Sequence, residues 1–191
     1  MKLLEERILK DGKVGAGNVL KVDSFLNHQI DVPFITLLGE EFHRLFADEG
    51  VNKILTIEAS GIGIACLTAV RFGVPVVFAK KTLTSNIYAD VYTSSAFSYT
   101  HQKNYEIVVS KQFLGEGDRV LIIDDFLAKG SALLALISLV REAGAEVVGA
   151  GIVVEKAYQE GGSVVRAQGV RVESLARIAS MSVEDGIRFV D

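Results

Sequence analysis

The stretch VLIIDDFLAKGSA, residues 120–132, runs four apolar residues straight into two adjacent carboxylates and then into a segment of small residues. LLALISLVREAG follows, with apolar residues at helical spacing. An unbroken Val/Ile/Leu run reads as a strand buried on both faces of a parallel sheet. Ending such a strand in a doubled acid is costly unless the acids have a partner. Small residues let backbone N–H groups come close to a ligand, and the start of a helix adds partial positive charge. Ala128, Lys129, Gly130, Ser131 and Ala132 are therefore suited to holding a phosphate. Asp124 and Asp125, acceptor-only when ionised, suit vicinal hydroxyls. A phosphorylated ribose offers both features. The plainer reading has the two acids ending the strand and capping a turn.

Working outward, Leu3, Leu4, Ile8 and Leu9 recur at helical spacing with Gly12 as a stop, and GAGNVLKV reads as a short strand. Asp31 caps a helix with Pro33 in its first turn; that helix buries Ile35, Leu38, Phe42, Leu45 and Phe46 and ends by Gly50. KILTI is a strand, EASGIG a turn, IACLTAVRF a helix stopped by Gly73, and PVVFA a strand. Residues 80–104 are rich in Ser, Thr and Tyr and lack a long apolar face; YEIVV, 105–109, resumes a strand. After the helix that ends near Gly144 comes the strand EVVGAGIVV, and RVESLARIAS and GIRFV read as edge strands. This alternation predicts an α/β fold with a mainly parallel sheet covered on both faces, in one domain over residues 1–191. Ligands of such sheets bind beyond the carboxyl ends of the strands. EASGIG, KKTLTS, DDFLAKGSA and VVEKAYQ are thus the informative segments.

Composition narrows the function classes. With 191 residues, 49% hydrophobic and 23% charged, the chain has an ordinary globular make-up. A net charge of -4 argues against nucleic-acid or membrane-surface partners. MKLLEERILKDG lacks the apolar core of a signal peptide, and no run approaches the ~20 apolar residues of a membrane span. The single cysteine, Cys66, allows no intrachain disulfide and fits a reducing, cytoplasmic setting. Cys66 is expected to be a small buried core residue rather than a nucleophile. His28, His43 and His101 form no metal-ligand pattern, so no protein-built metal site is expected.

EASGIG, residues 58–63, is a second small-residue turn at a strand end and suits an anion. A dinucleotide fingerprint is the rival reading, but Cys66 stands where the third glycine belongs and the acid expected about 20 residues on is absent. Lys80 and Lys81 occupy that region instead and suit a pyrophosphate; a solvated strand end is their plain alternative.

The apolar run, two acids and small-residue loop resemble the phosphoribosyl diphosphate (PRPP) signature of the type I phosphoribosyltransferases. The resemblance covers most of the chain. It is nearest to the xanthine-using members, through NVLKVDSFLNHQID, TIEASGIG, IIDDFLAKGSA and VVEKAYQEGG. Many relatives carry Thr-Gly-Gly-Thr where this chain has Lys129, Gly130, Ser131 and Ala132, so phosphate binding leans on backbone amides, Ser131 and Lys129.

The resemblance implies that fold, a small hood built from about residues 1–35 and the C-terminal tail, a mobile lid over 84–104, and a homodimer with the segment after PVVFA near the interface. It implies transfer of phosphoribose from PRPP to xanthine, giving xanthosine monophosphate and pyrophosphate in purine salvage. Mg²⁺ would be carried by the PRPP diphosphate. Asp124 and Asp125 would hold the ribose hydroxyls, and Ala128 to Ala132 the 5′-phosphate. Ala59, Ser60, Gly61 and Lys81 would hold pyrophosphate, and Leu20, Asn27 and Lys156 the base. Lys156 is a pure donor and favours a 6-oxo purine, which leaves guanine and hypoxanthine open beside xanthine. A PRPP-sensing regulator without catalysis is the alternative from another class. No basic helix-turn-helix precedes the PRPP-fold strands, and the lid and lysine pair favour an enzyme.

Overall fold

The structure, a computed structural model, describes residues 1–81, 90–98 and 103–190. In chain order it has α1 (Lys2–Asp11), β1 (Lys13–Gly15), β2 (Val19–Lys21), a π-type turn (Asp23–Asn27), α2 (Val32–Phe46), β3 (Lys53–Ile57), α3 (Ser60–Phe72) and β4 (Val76–Ala79). Then follow β5 (Val91–Ser98), β6 (Lys103–Ser110), β7 (Arg119–Leu127), α4 (Ser131–Glu142), β8 (Glu146–Lys156), α5 (Gly161–Arg166), β9 (Val172–Ser182) and β10 (Gly186–Phe189). Six strands form the main sheet in the order β10-β9-β8-β7-β3-β4. All neighbours run parallel except β10, which is antiparallel to β9.

The continuous apolar strands work as a two-sided core because successive side chains point to opposite faces. Along β7, Leu121 and Ile123 join Ile54, Phe42 and Ile64 on one face; Val120 and Ile122 join Leu55, Leu136 and Ile107 on the other. Each fully buried Leu, Ile or Phe contributes about 1.5–3 kcal/mol. The Asp31 side chain caps α2 by accepting from Phe34 N at 3.2 Å. Gly39 lets α2 press on α3: a Cβ there would lie 3.0 Å from the Leu67 backbone. The Arg7 guanidinium sits 5.2 Å from the centroids of Phe25 and Phe34 and 3.0 Å from Asp31, tying α1 to the start of α2.

Several expectations are corrected. Cys66 is exposed, because α3 buries Ile64, Ala65, Thr68 and Ala69 and this places Cys66 on the opposite side of the helix. GAGNVLKV holds a short strand, β2, but as one arm of a hairpin with β1, turned by Gly17 and Asn18 at positive φ. β7 does not stop at the acids but carries both of them on to Leu127. Residues 91–98 form a strand, and YEIVV pairs with it in a separate antiparallel hairpin joined to β4 by one bridge, Lys80–Val108. Residues 84–89 and 99–102 of the expected lid, with Tyr99 and His101, lie outside the described residues. His43 packs its ring 4.7 Å from that of Phe72. No helix among the described residues is long and apolar enough to cross a membrane.

Candidate active site

The carboxyl ends of β3, β7 and β8 open on one side of the sheet, as parallel topology requires. From β7 the chain passes through Ala128–Ala132 into α4, with Gly130 at φ +85°. This loop borders a cleft of about 390 Å³, together with Phe97, Tyr105, Phe126, Lys156 and Gln159. The Ser131 hydroxyl accepts from Phe97 N at 2.6 Å, which lays β5 against the loop. Lys129 pairs with Glu160 at 3.0 Å.

From β3 the chain turns through Glu58 and Ala59 into α3, and the Glu58–Ala59 peptide is cis. Ala59, Ser60, Gly61, Lys81, Asp124 and Asp125 line a second cleft of about 250 Å³. Tyr105, Phe126 and Ala132 border both clefts, so the two adjoin. The Glu58 carboxylate accepts from Lys81 N at 2.6 Å, and Lys81 Nζ stands 5.8 Å from the Tyr105 ring centroid. Gly61 is needed for close approach: a Cβ there would fall under 3.0 Å from Thr56 Oγ1 and at 3.2 Å from Asp124 Oδ1. Thr56 is fully buried, and among the described residues its hydroxyl has no hydrogen-bond partner.

The lysine pair is split. Lys81 faces the cleft, whereas Lys80 borders a separate groove of about 670 Å³ between β4 and β6. Asp124, only 5% exposed, has its carboxyl pushed well above the usual range, first by burial and then by the Asp125 charge. Asp125 is half-buried and accepts from Asn27 Nδ2 at 3.2 Å, bringing the Asp23–Asn27 turn to the cleft. Burial lowers the Lys156 pKa. Leu20 is buried in the same core cluster as Phe25 and Leu26 of this turn and borders neither cleft.

Next to Lys156, burial pushes the Glu155 carboxyl up. Hydrogen bonds from Arg166 and Ser174, with the Arg166 and Arg177 charges, outweigh this and bring it below its ordinary value. Sequence reading passed over Tyr105, Phe126, Glu58 and Thr56. Nothing in their spacing sets them apart from ordinary strand and turn residues. Among the described residues no group of three His, Cys, Asp or Glu could hold a metal.

What the clefts offer is two anion-suited turns flanking a carboxylate pair, with a half-buried lysine at one end. Residues 24–175 match the phosphoribosyl transferase domain family, and the chain belongs to it. The fold is that of the type I phosphoribosyltransferases. It is shared with an adenine phosphoribosyltransferase from Rhodothermus marinus at a TM-score of 0.76 and 22% identity, over 93% of this chain and 99% of that one.

Curated relatives are closer in sequence. The chain is 59% identical to a xanthine phosphoribosyltransferase from Lachnoclostridium phytofermentans, over 97% of this chain and 96% of that one. It is 55% identical to a xanthine phosphoribosyltransferase from Ruminiclostridium cellulolyticum, over 95% of each.

Proposed function

We propose that the protein transfers the 5-phosphoribosyl group from PRPP to xanthine, releasing pyrophosphate. The observation that carries this reading is the convergence of Asp124, Asp125, the Ala128–Ala132 loop, the Ala59–Gly61 turn and Lys81 on two adjoining clefts, with Lys156 at the edge. Asp124 and Asp125 hold the ribose hydroxyls, and the amides of Ala128–Ala132 with the Ser131 hydroxyl hold the 5′-phosphate. Charge gathers on the departing diphosphate as the bond at ribose C1 breaks. Lys81 and the Ala59, Ser60 and Gly61 amides stabilise it there.

Lys156 donates to a 6-oxo oxygen, and the Asn27 amide, a donor and an acceptor, reads a second oxo edge. Leu20 supports the turn that carries Asn27. That turn belongs to a hood formed by about residues 1–35 and the C-terminal tail. The packing of Ile30 on α3 supports this: a Cβ on Gly63 would lie 2.9 Å from Ile30 Cδ1.

The acid pair and Glu58 line the diphosphate cleft, but among the described residues no three such groups are placed to hold a metal ion. That donor set fits a Mg²⁺ ion ligated mainly by substrate phosphates, with Asp124 and Asp125 beside it. Bound there, Mg²⁺ supplies charge neutralisation for the leaving diphosphate.

The reading includes a cytoplasmic homodimer. Exposed Phe78 and Phe113 beside the β4 edge support a covered face. Incubation with PRPP, Mg²⁺ and xanthine tests the activity by formation of xanthosine monophosphate and pyrophosphate. Product from guanine or hypoxanthine alone moves the assignment within the family. PRPP binding without turnover of any purine points to a regulator.

A further inference from the structure

The two glycines that close VVEKAYQEGG take no part in the reading above, yet they stand against the phosphate loop. Gly161 N–H donates to Ala128 O at 3.0 Å. A Cβ on Gly161 would lie 2.7 Å from Gly130 N and 2.9 Å from Ala128 C, and closer still to Ala128 O. From the other side, a Cβ on Gly130 would lie 3.1 Å from Gly161 Cα. The closest contacts between the two segments are therefore backbone to backbone, with the Val165 side chain next, 3.5 Å from a Cβ on Gly130.

Behind Gly161, α5 is held by a buried carboxylate. Glu155 is 2% exposed and accepts from Arg166 at 2.9 and 3.0 Å and from Ser174 at 2.6 Å, with Arg177 at 3.4 Å. Gly162 leaves room for this: a Cβ there would fall under 3.0 Å from Glu155 Oε1 and Arg166 Nη1.

We propose that Gly161 is a positioning residue for the phosphate loop, fixing Ala128–Gly130 through backbone contact, with the Glu155–Arg166 pair holding α5 in place behind it. The proposal rests on the assignment of Ala128–Ala132 to the 5′-phosphate. A phosphate held by backbone amides needs its donors within a few tenths of an ångström, because the useful N···O range is narrow. Any methyl on Gly161 has to displace either the loop or α5. Glu155 precedes Lys156 in β8, so one carboxylate braces the phosphate anchor from beside the base-reading lysine.

Gly161→Ala tests this by calorimetric titration with three probes kept separate: ribose 5-phosphate, magnesium pyrophosphate and xanthine. Ribose 5-phosphate affinity falls by at least about tenfold, while the other two affinities stay at wild-type values. A general structural fault moves all three together, and that result overturns the proposal, as does wild-type ribose 5-phosphate affinity in the folded variant. If the wild-type protein binds ribose 5-phosphate without competition from PRPP, the phosphate-loop reading itself fails and takes this proposal with it.

Arg166→Lys covers the case in which Gly161→Ala does not fold. It keeps the charge but loses the two-pronged geometry, and it adds no atom to the loop. The same selective loss, smaller in size, is expected, and its absence overturns the proposal.

Discussion

The turns that follow β3 and β7 resemble one another in sequence, each a small-residue link from a buried strand to a helix, but they are backed by different kinds of atoms. Gly61 faces side chains: Thr56 Oγ1, and Asp124 Oδ1 at 3.2 Å from a Cβ. Gly130 faces backbone, at 3.1 Å from Gly161 Cα and 3.3 Å from Gly161 O, and sits at φ +85°. Side chains can rotate or be trimmed, whereas a packed backbone cannot move without taking its element along. The β3 turn should therefore tolerate repair by a second substitution, and the β7 loop should not.

The largest expected effect lies outside both turns and sets the baseline. Lys156→Met keeps the stem and removes the donor, so xanthine kcat/KM falls by about 10²–10⁴ with PRPP affinity unchanged. A matching loss of PRPP affinity would instead join Lys156 to the phosphate loop.

Gly130→Ala comes next. Left-handed backbone costs a non-glycine residue about 1–2 kcal/mol, and the contact with Gly161 adds to it, so PRPP kcat/KM falls by about 10². Steady-state kinetics on the folded variant check this; near-normal values would end the distinction between the turns. Asp125→Ala removes a charged acceptor worth about 1.5–3 kcal/mol, and kcat/KM falls correspondingly while the fold survives.

Gly61→Ala is milder, about tenfold in kcat/KM, and adding Thr56→Ala restores part of it. A double variant no better than the single one would mean the β3 turn is as rigidly backed as its counterpart.

The smallest effect concerns Asp124, which sits on β7 yet backs the β3 turn. Its folded pKa is raised above the ordinary 3.8. Its contribution to stability is therefore fully present below that value and lost as pH rises through the folded pKa. Asp124→Asn removes this titration, so the Tm of the ligand-free protein declines less with rising pH than in the wild type. The gain at the upper end is about 2–4 °C per kcal/mol. Parallel Tm curves for the two proteins would show that Asp124 does not titrate differently on folding.

The parts of this architecture that sequence reading reached are those in which one segment carries its own reason. DDFLAKGSA joins strand, acids and helix start, and Asp31 with Pro33 marks the head of α2. The parts it missed depend on what lies opposite. β5 alternates Tyr92, Ser94 and Ala96 inward, and with a serine among them no apolar face shows in the letters. Cys66 sits in an apolar run, but only the packing of α3 decides which side faces water. Tyr105 reads as an ordinary strand residue and reaches both clefts only because its hairpin packs against α4 and the loop before it. Gly130 stands out in its segment as the small residue at the head of a helix, while its backing by Gly161 spans a separation no local pattern encodes.

The hydrogen bond from Asn27 to Asp125 joins residues 98 positions apart in the free protein. A ligand that claims the carboxylate must displace the amide, and one that claims the amide must displace the carboxylate. Whichever ligand arrives first therefore bears the cost of parting the pair, and the second meets a group already released. Two ligands taking opposite sides of this bond bind with positive cooperativity even if no backbone atom moves, and by linkage each enhances the other equally. Titrations in both orders would read the strength of that single bond as the ratio of first to second affinity for either ligand.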